Sequence, residues 1–207
     1  MDNLKYLEHV VELGKVQAAT TPEEMSGAFD AFNGFLGLYY DLAKMELQKA
    51  GIDTPPIRNF AIDKALERID ARLDCADFTI PALIRMLREH RGTRLNEEQA
   101  QKIEQSLIHF KYWLDEPGDV HACFFTENHQ ILYHSAEYLV GQMYPDVVFP
   151  NNGMTGAEHH AHATAFLRRW LNWRERFGFS EWLTNEKRTA GDIKTIKNET
   201  EATDDKD

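Results

Sequence analysis

Apolar residues recur at intervals of three and four along most of this chain, a period that admits helices and little else. Met25, Phe29, Phe32, Leu36, Tyr39, Ala43 and Leu47 form one stripe, and Ile62, Ala65, Leu66, Ile69 and Leu73 a second. Shorter stripes follow at Ile80, Leu83, Ile84 and Leu87, then at Ala100, Ile103, Leu107, Phe110 and Leu114. The punctuation agrees with the period. Thr21-Pro22-Glu23-Glu24, Asn96 with Gln99, and Thr155 with Glu158 read as helix starts with box-like partners. Gly51, Gly92, Pro117-Gly118 and Gly178 read as stops. Helices are predicted over roughly 2–18, 22–50, 60–73, 80–91, 97–114, 127–143 and 156–177, with a further short turn from Ser180. No segment reads convincingly as a strand. The expected class is all-α, and short connections between helices imply antiparallel helix hairpins.

With 43% apolar and 28% charged residues in 207, the chain can bury a core. Residues 1–185 are expected to form one helical domain. From 186 onward there are few apolar residues and no aromatic, so 186–207 is expected to be a disordered polar tail. A formal net charge of −11 argues against gripping nucleic-acid phosphates or an anionic membrane surface. Two cysteines, Cys75 and Cys123, cannot build a disulfide framework and read as free thiols. The first residues lack the apolar core of a secretion signal, and no run reaches 18 apolar residues. A cytoplasmic location is expected for the chain as it stands, and is open if it belongs to a longer exported protein.

Residues able to do chemistry gather between 113 and 185. Glu127-Asn128-His129-Gln130 puts four polar side chains at a helix mouth, where burial without partners would be costly. The helix N-terminus suits the Glu127 carboxylate on structural grounds alone. His129 could equally be a general acid or base, because imidazole titrates near neutrality. His134 and Tyr138, four apart on one face, suit proton transfer or simple packing. His159 and His162 are three apart and Glu158 and His162 four apart, a spacing that can share a metal. Glu158 is claimed by its capping box, however, and neither HExxH nor CxxC occurs. No metal and no cofactor is expected.

Four stretches then carry a resemblance: WLDEPGD at 113–119, FFTENHQILYHSAEYLVGQMYPD at 124–146, GMTGAEH at 153–159 and RFGFSEW at 176–182. Together they resemble a group of large, mostly uncharacterised bacterial proteins with a helical (α/α)-toroid region. That architecture is similar to several glycoside hydrolase and polysaccharide lyase families, the heparinase-like lyases among them. The resemblance implies a partial (α/α)-toroid whose cleft holds Glu127, Asn128, His129, Gln130 and His134. It implies a carbohydrate-active domain and a glycan partner. A lyase would take His129, His134 or Tyr138 as base and Asn128 to neutralise a uronate carboxylate. A hydrolase would pair Glu127 with Asp115, Glu116, Asp119 or Glu181. Asp119, Gln130, Glu181 and Trp182 stand on the substrate side. A closed toroid needs about twelve helices, more than this body holds, so unburied helix faces and self-association are expected. The rival expectation is a non-catalytic helical interaction module or an inactive remnant of a larger enzyme.

Overall fold

The computed structural model describes residues 33–57, 60–119 and 121–181, together with Glu12 and Lys15. The helix expected over 2–18, the first part of that over 22–50, Trp182 and the tail from 186 lie outside the described residues. Six α-helices are present among the described residues: α1 (Asn33–Lys49), α2 (Phe60–Asp70), α3 (Ile80–His90), α4 (Glu97–His109), α5 (Glu127–Met143) and α6 (Gly156–Phe177). One 3₁₀ turn, Ala76–Phe78, leads into α3, and no strand occurs among these residues. The protein is all-α. No helix among the described residues is long and apolar enough to cross a membrane.

The helix ends follow local chemistry. Thr155 and Glu158 form a reciprocal capping box on α6, and the Asn96 side chain accepts from Gln99 N on α4. Two helices are shorter than their apolar stripes predict. α2 stops at Asp70 because Arg72 turns left-handed at φ 51°, with Leu73 N on Arg68 O and Arg72 N on Ile69 O closing a Schellman end. α4 stops at His109 because the aromatic residues beyond it pack better extended. Phe110 and Tyr112 are buried with ring centroids 5.3 Å apart, and the Glu116 carboxylate accepts from Tyr112 N at 2.8 Å and Trp113 N at 3.2 Å. Thr79 does not cap α3 with its side chain. The 3₁₀ turn runs straight into the helix, and the Thr79 hydroxyl donates back to Ala76 O at 2.7 Å.

The helices lie in two rows. In one row α1, α3 and α5 are neighbours and run parallel. Tyr39 near the start of α1 donates to Phe78 O before α3, and Lys49 at its end pairs with Glu89 at the end of α3. Likewise His129 meets Asp77 where α3 and α5 begin, and Tyr144 past α5 donates to Glu104, which pairs with Arg91 past α3. In the other row α2 packs on α4. α6 lies antiparallel along α5: Glu127 pairs with Arg174, Gln130 with Trp170, and Glu137 with His159 and His162. The two helices touch backbone to backbone. A Cβ on Gly141 would stand 2.5 Å from Gly156 O and 2.7 Å from His160 N, so only glycine lets the two backbones meet there. Phe110, Tyr112, Tyr133 and Phe149 supply the largest buried rings of the core, which extends through Leu83, Met86 and Ile103.

Candidate functional site

The N-terminal ends of α3 and α5 come together, and most of the predicted site residues lie there. Three of the four polar residues at the mouth of α5 have their hydrogen bonds committed to the fold. The Glu127 carboxylate accepts from Ser180 N and Ser180 Oγ, both at 2.8 Å, from Glu181 N at 2.9 Å, and from the Arg174 guanidinium. Burial alone would raise its pKa. The bonds from Ser180 and Glu181, with the Arg174 charge, outweigh that and hold it below the usual carboxylate range. Glu127 thus ties the chain beyond α6 to the start of α5. Asn128 N donates to Glu181 Oε2 at 3.0 Å, and Asn128 Oδ1 accepts from His129 N at 2.8 Å. Gln130 donates to Phe124 O and Phe125 O and accepts from the Trp170 indole at 3.0 Å.

His129 is placed differently. Its Nδ1 lies 2.7 Å from Asp77 Oδ2, and its ring stands edge-on to Phe78 at 5.2 Å. Asp77 is fully buried. Desolvation pushes its carboxyl up to about 6, against the opposing pull of the His129 charge and hydrogen bond. Its second oxygen, Oδ1, has no partner among the described residues, and neither has the buried Tyr133 hydroxyl one turn along α5 from His129. Asp74, Cys75 and Cys123 lie in the same neighbourhood, with Asp74 close enough for its charge to act on Tyr133. Burial and the charges of Asp74 and Asp77 raise the Cys75 thiol, which keeps it protonated and a poor nucleophile.

The remaining predicted residues lie elsewhere. His134 is two turns along α5 from the mouth, with its ring stacked on Phe166 at 3.5 Å and 4.2 Å from Trp113. Tyr138 packs against His160, ring centroids 4.1 Å apart. Asp119 is exposed. A groove of about 470 Å³ opens between the ends of α2 and α4, lined by Asp70, Arg72, His109 and Asn151, and holds none of the predicted site residues.

A second polar cluster sits between α5 and α6. Glu137 is 1% exposed and is surrounded by three imidazoles. His134 Nδ1 lies 3.2 Å from its Oε2, while His159 Nδ1 at 2.9 Å and His162 Nδ1 at 2.8 Å share Oε1. Burial would raise Glu137, but the His134 and His159 hydrogen bonds and the His162 charge prevail and hold it at about 2. Burial lowers His134, whereas for His162 the Glu137 and Asp115 carboxylates overcome desolvation and raise it. Groups with metal-ligand chemistry and atoms within 4.8 Å of one another are His134–Glu137–His162, Glu116–Glu137–His159, Asp74–Cys75–His129 and Glu46–Glu89–His90.

Compared with protein-family models, curated proteins and solved structures, the chain matches none of them. What the residues can do therefore rests on their geometry.

Asp77, Tyr133 and Glu137 escape a reading of the sequence alone. Asp77 looks like one helix-capping residue among several, and only the packing of α3 on α5 brings it to His129. Tyr133 falls within the apolar period of α5. Glu137 carried a usable signal: His134-x-x-Glu137 on one helix and His159-x-x-His162 on the next place two pairs on faces that a hairpin turns toward each other.

Proposed function

We propose that this chain is a partial (α/α)-toroid that acts on a carbohydrate by acid–base chemistry where α3 and α5 begin. The parallel row of α1, α3 and α5, with α2 packed on α4 in a second row, supports the toroid reading, because that is how successive hairpins pack around a ring. The observation that carries the chemical reading is the Asp77–His129 pair, 2.7 Å apart with Asp77 held at about 6. A carboxylate on Nδ1 orients the ring and leaves Nε2 as the nitrogen that exchanges a proton with substrate. The Tyr133 hydroxyl next to the pair is fully buried and out of reach of a substrate, so it takes no part in the reaction. Phe125, 84% exposed and four residues before His129, offers a flat apolar surface for a sugar ring. Glu127, Asn128 and Gln130 hold this mouth in shape, while His134 and Tyr138 take no part in the reaction.

The purified chain and its His129→Asn variant, assayed on a panel of uronate and neutral polysaccharides for unsaturated product and for new reducing ends, test the reading. Turnover that falls about 100-fold or more in the variant is expected. Equal behaviour of the two proteins on every glycan would overturn it. The engagement of Glu127, Asn128 and Gln130 inside the fold favours a second reading, a non-catalytic helical module. Absence of turnover with retained folding supports that one.

A further inference from the structure

We infer that the α5–α6 hairpin binds one divalent transition-metal ion of the zinc class through His134 Nδ1, the Glu137 carboxylate and His162 Nδ1. The site is separate from the Asp77–His129 mouth and does not depend on the carbohydrate reading.

The spacing is right for such an ion. A tetrahedral zinc with bonds of about 2.0–2.1 Å sets its donors about 3.3 Å apart. In the protein His134 Nδ1 and His162 Nδ1 stand 3.2 Å and 2.8 Å from the Glu137 carboxylate, and the three donor atoms lie within 4.8 Å of one another. His134 and Glu137 are one helical turn apart on α5, and His162 meets them from the antiparallel α6.

The proton count points the same way. His162 Nδ1 faces Glu137 and its Nε2 faces Asp115 Oδ2 at 3.1 Å, so both ring nitrogens meet carboxylates. His159 Nδ1 faces Glu137 and its Nε2 faces Asn152 Oδ1 at 3.2 Å, an oxygen that already accepts from Met154 N. Without a metal, filling every one of these contacts needs two imidazolium ions around one buried carboxylate. With a metal on His162 Nδ1, that ring is neutral and its Nε2–H donates to Asp115, the arrangement in which an outer carboxylate orients a metal-bound imidazole. His159, held by Asn152, orients Glu137 from the other side. Three protein donors leave a fourth position open. The His162 side chain is 33% exposed and Asp115 58%, so an ion or a small anionic ligand can reach it from solvent.

Cobalt(II) tests the site. The purified chain, stripped with a chelator, is titrated with Co²⁺ while its d–d absorption and far-UV circular dichroism are followed. The expected result is saturation at about one equivalent with the intense absorption of a four-coordinate ion. His162→Ala abolishes that absorption, Asp115→Asn weakens binding about 10- to 100-fold, and Cys75→Ser and His160→Ala change nothing. Glu137→Gln also abolishes it. If that variant does not fold, His162→Ala, at a partly exposed position, decides the question. No saturable binding by the wild type would overturn the inference. So would binding unchanged in folded His162→Ala, or binding lost in Cys75→Ser.

Discussion

His129 Nδ1 lies 2.7 Å from Oδ2 of Asp77, a residue 52 positions earlier in the chain. The contact joins the beginnings of two parallel helices and buries a carboxyl whose pKa is about 6. Because the folded value lies above the ordinary value of ~4, the folded state binds this proton more tightly than the unfolded state does. The stabilisation is complete below pH ~4 and is lost as pH rises through about 6. Relative to Asp77→Asn, the wild type should therefore lose roughly 3 kcal/mol of unfolding free energy between pH 4 and pH 7. Urea denaturation of both proteins across that range measures it. A difference that stays constant with pH contradicts the burial assigned to Asp77.

Tyr133 separates structure from function. Its buried hydroxyl has no partner among the described residues, so Tyr133→Phe should leave stability unchanged or raise it by about 1 kcal/mol. Because the hydroxyl is out of reach of a substrate, the same variant should leave glycan turnover unchanged. Thermal melts and the glycan assay, run on one preparation, read both effects. A loss of stability of about 2 kcal/mol would show that the hydroxyl is bonded within the fold.

Glu127 gathers bonds from Ser180, Glu181 and Arg174, so it fastens the end of α6 to the start of α5. Glu127→Gln keeps the shape and removes the charge opposite Arg174. It should cost about 1–3 kcal/mol, because the amide oxygen still accepts from Ser180 and the Arg174 guanidinium reaches solvent. Amide exchange at Ser180 and Glu181 should accelerate more than exchange in the middle of α5.

Gly141 sits inside a helix, where alanine is ordinarily better by about 1 kcal/mol. Here a Cβ would meet the backbone of Gly156 and His160, and neither can step aside as a side chain could. Gly141→Ala should therefore destabilise by about 1–3 kcal/mol, in denaturant unfolding, instead of stabilising. The sign alone decides whether the two helices approach this closely.

The helices were legible in the sequence wherever period and capping agreed. α5 and α6 begin and end within a residue of expectation, and the Thr155–Glu158 box forms as read. The misjudged ends were those where tertiary contacts override the period. Leu114 continues the stripe of α4, yet Phe110 and Tyr112 leave the helix to pack in the core while Leu114 stays exposed. The candidate site was legible as a place, the mouth of α5, but less so as a set of residues. His129 could be singled out by its type. Asp77 could not, since its role comes from a contact across the molecule. His134 and Tyr138 share a helix face, yet α6 offers them different neighbours, His162 and Phe166 for one and His160 for the other.

The central claim is that the Asp77–His129 pair meets a carbohydrate. The most direct measurement follows the histidine ring ¹⁵N resonances by NMR as uronate or neutral oligosaccharides are added to the folded chain. The account predicts that the Nε2 and Nδ1 signals of His129 shift with at least one glycan, while those of His90, buried against Glu46 at the far end of α3, stay in place. His129 signals that are unmoved by every glycan, at concentrations far above usual enzyme–sugar affinities, would contradict it.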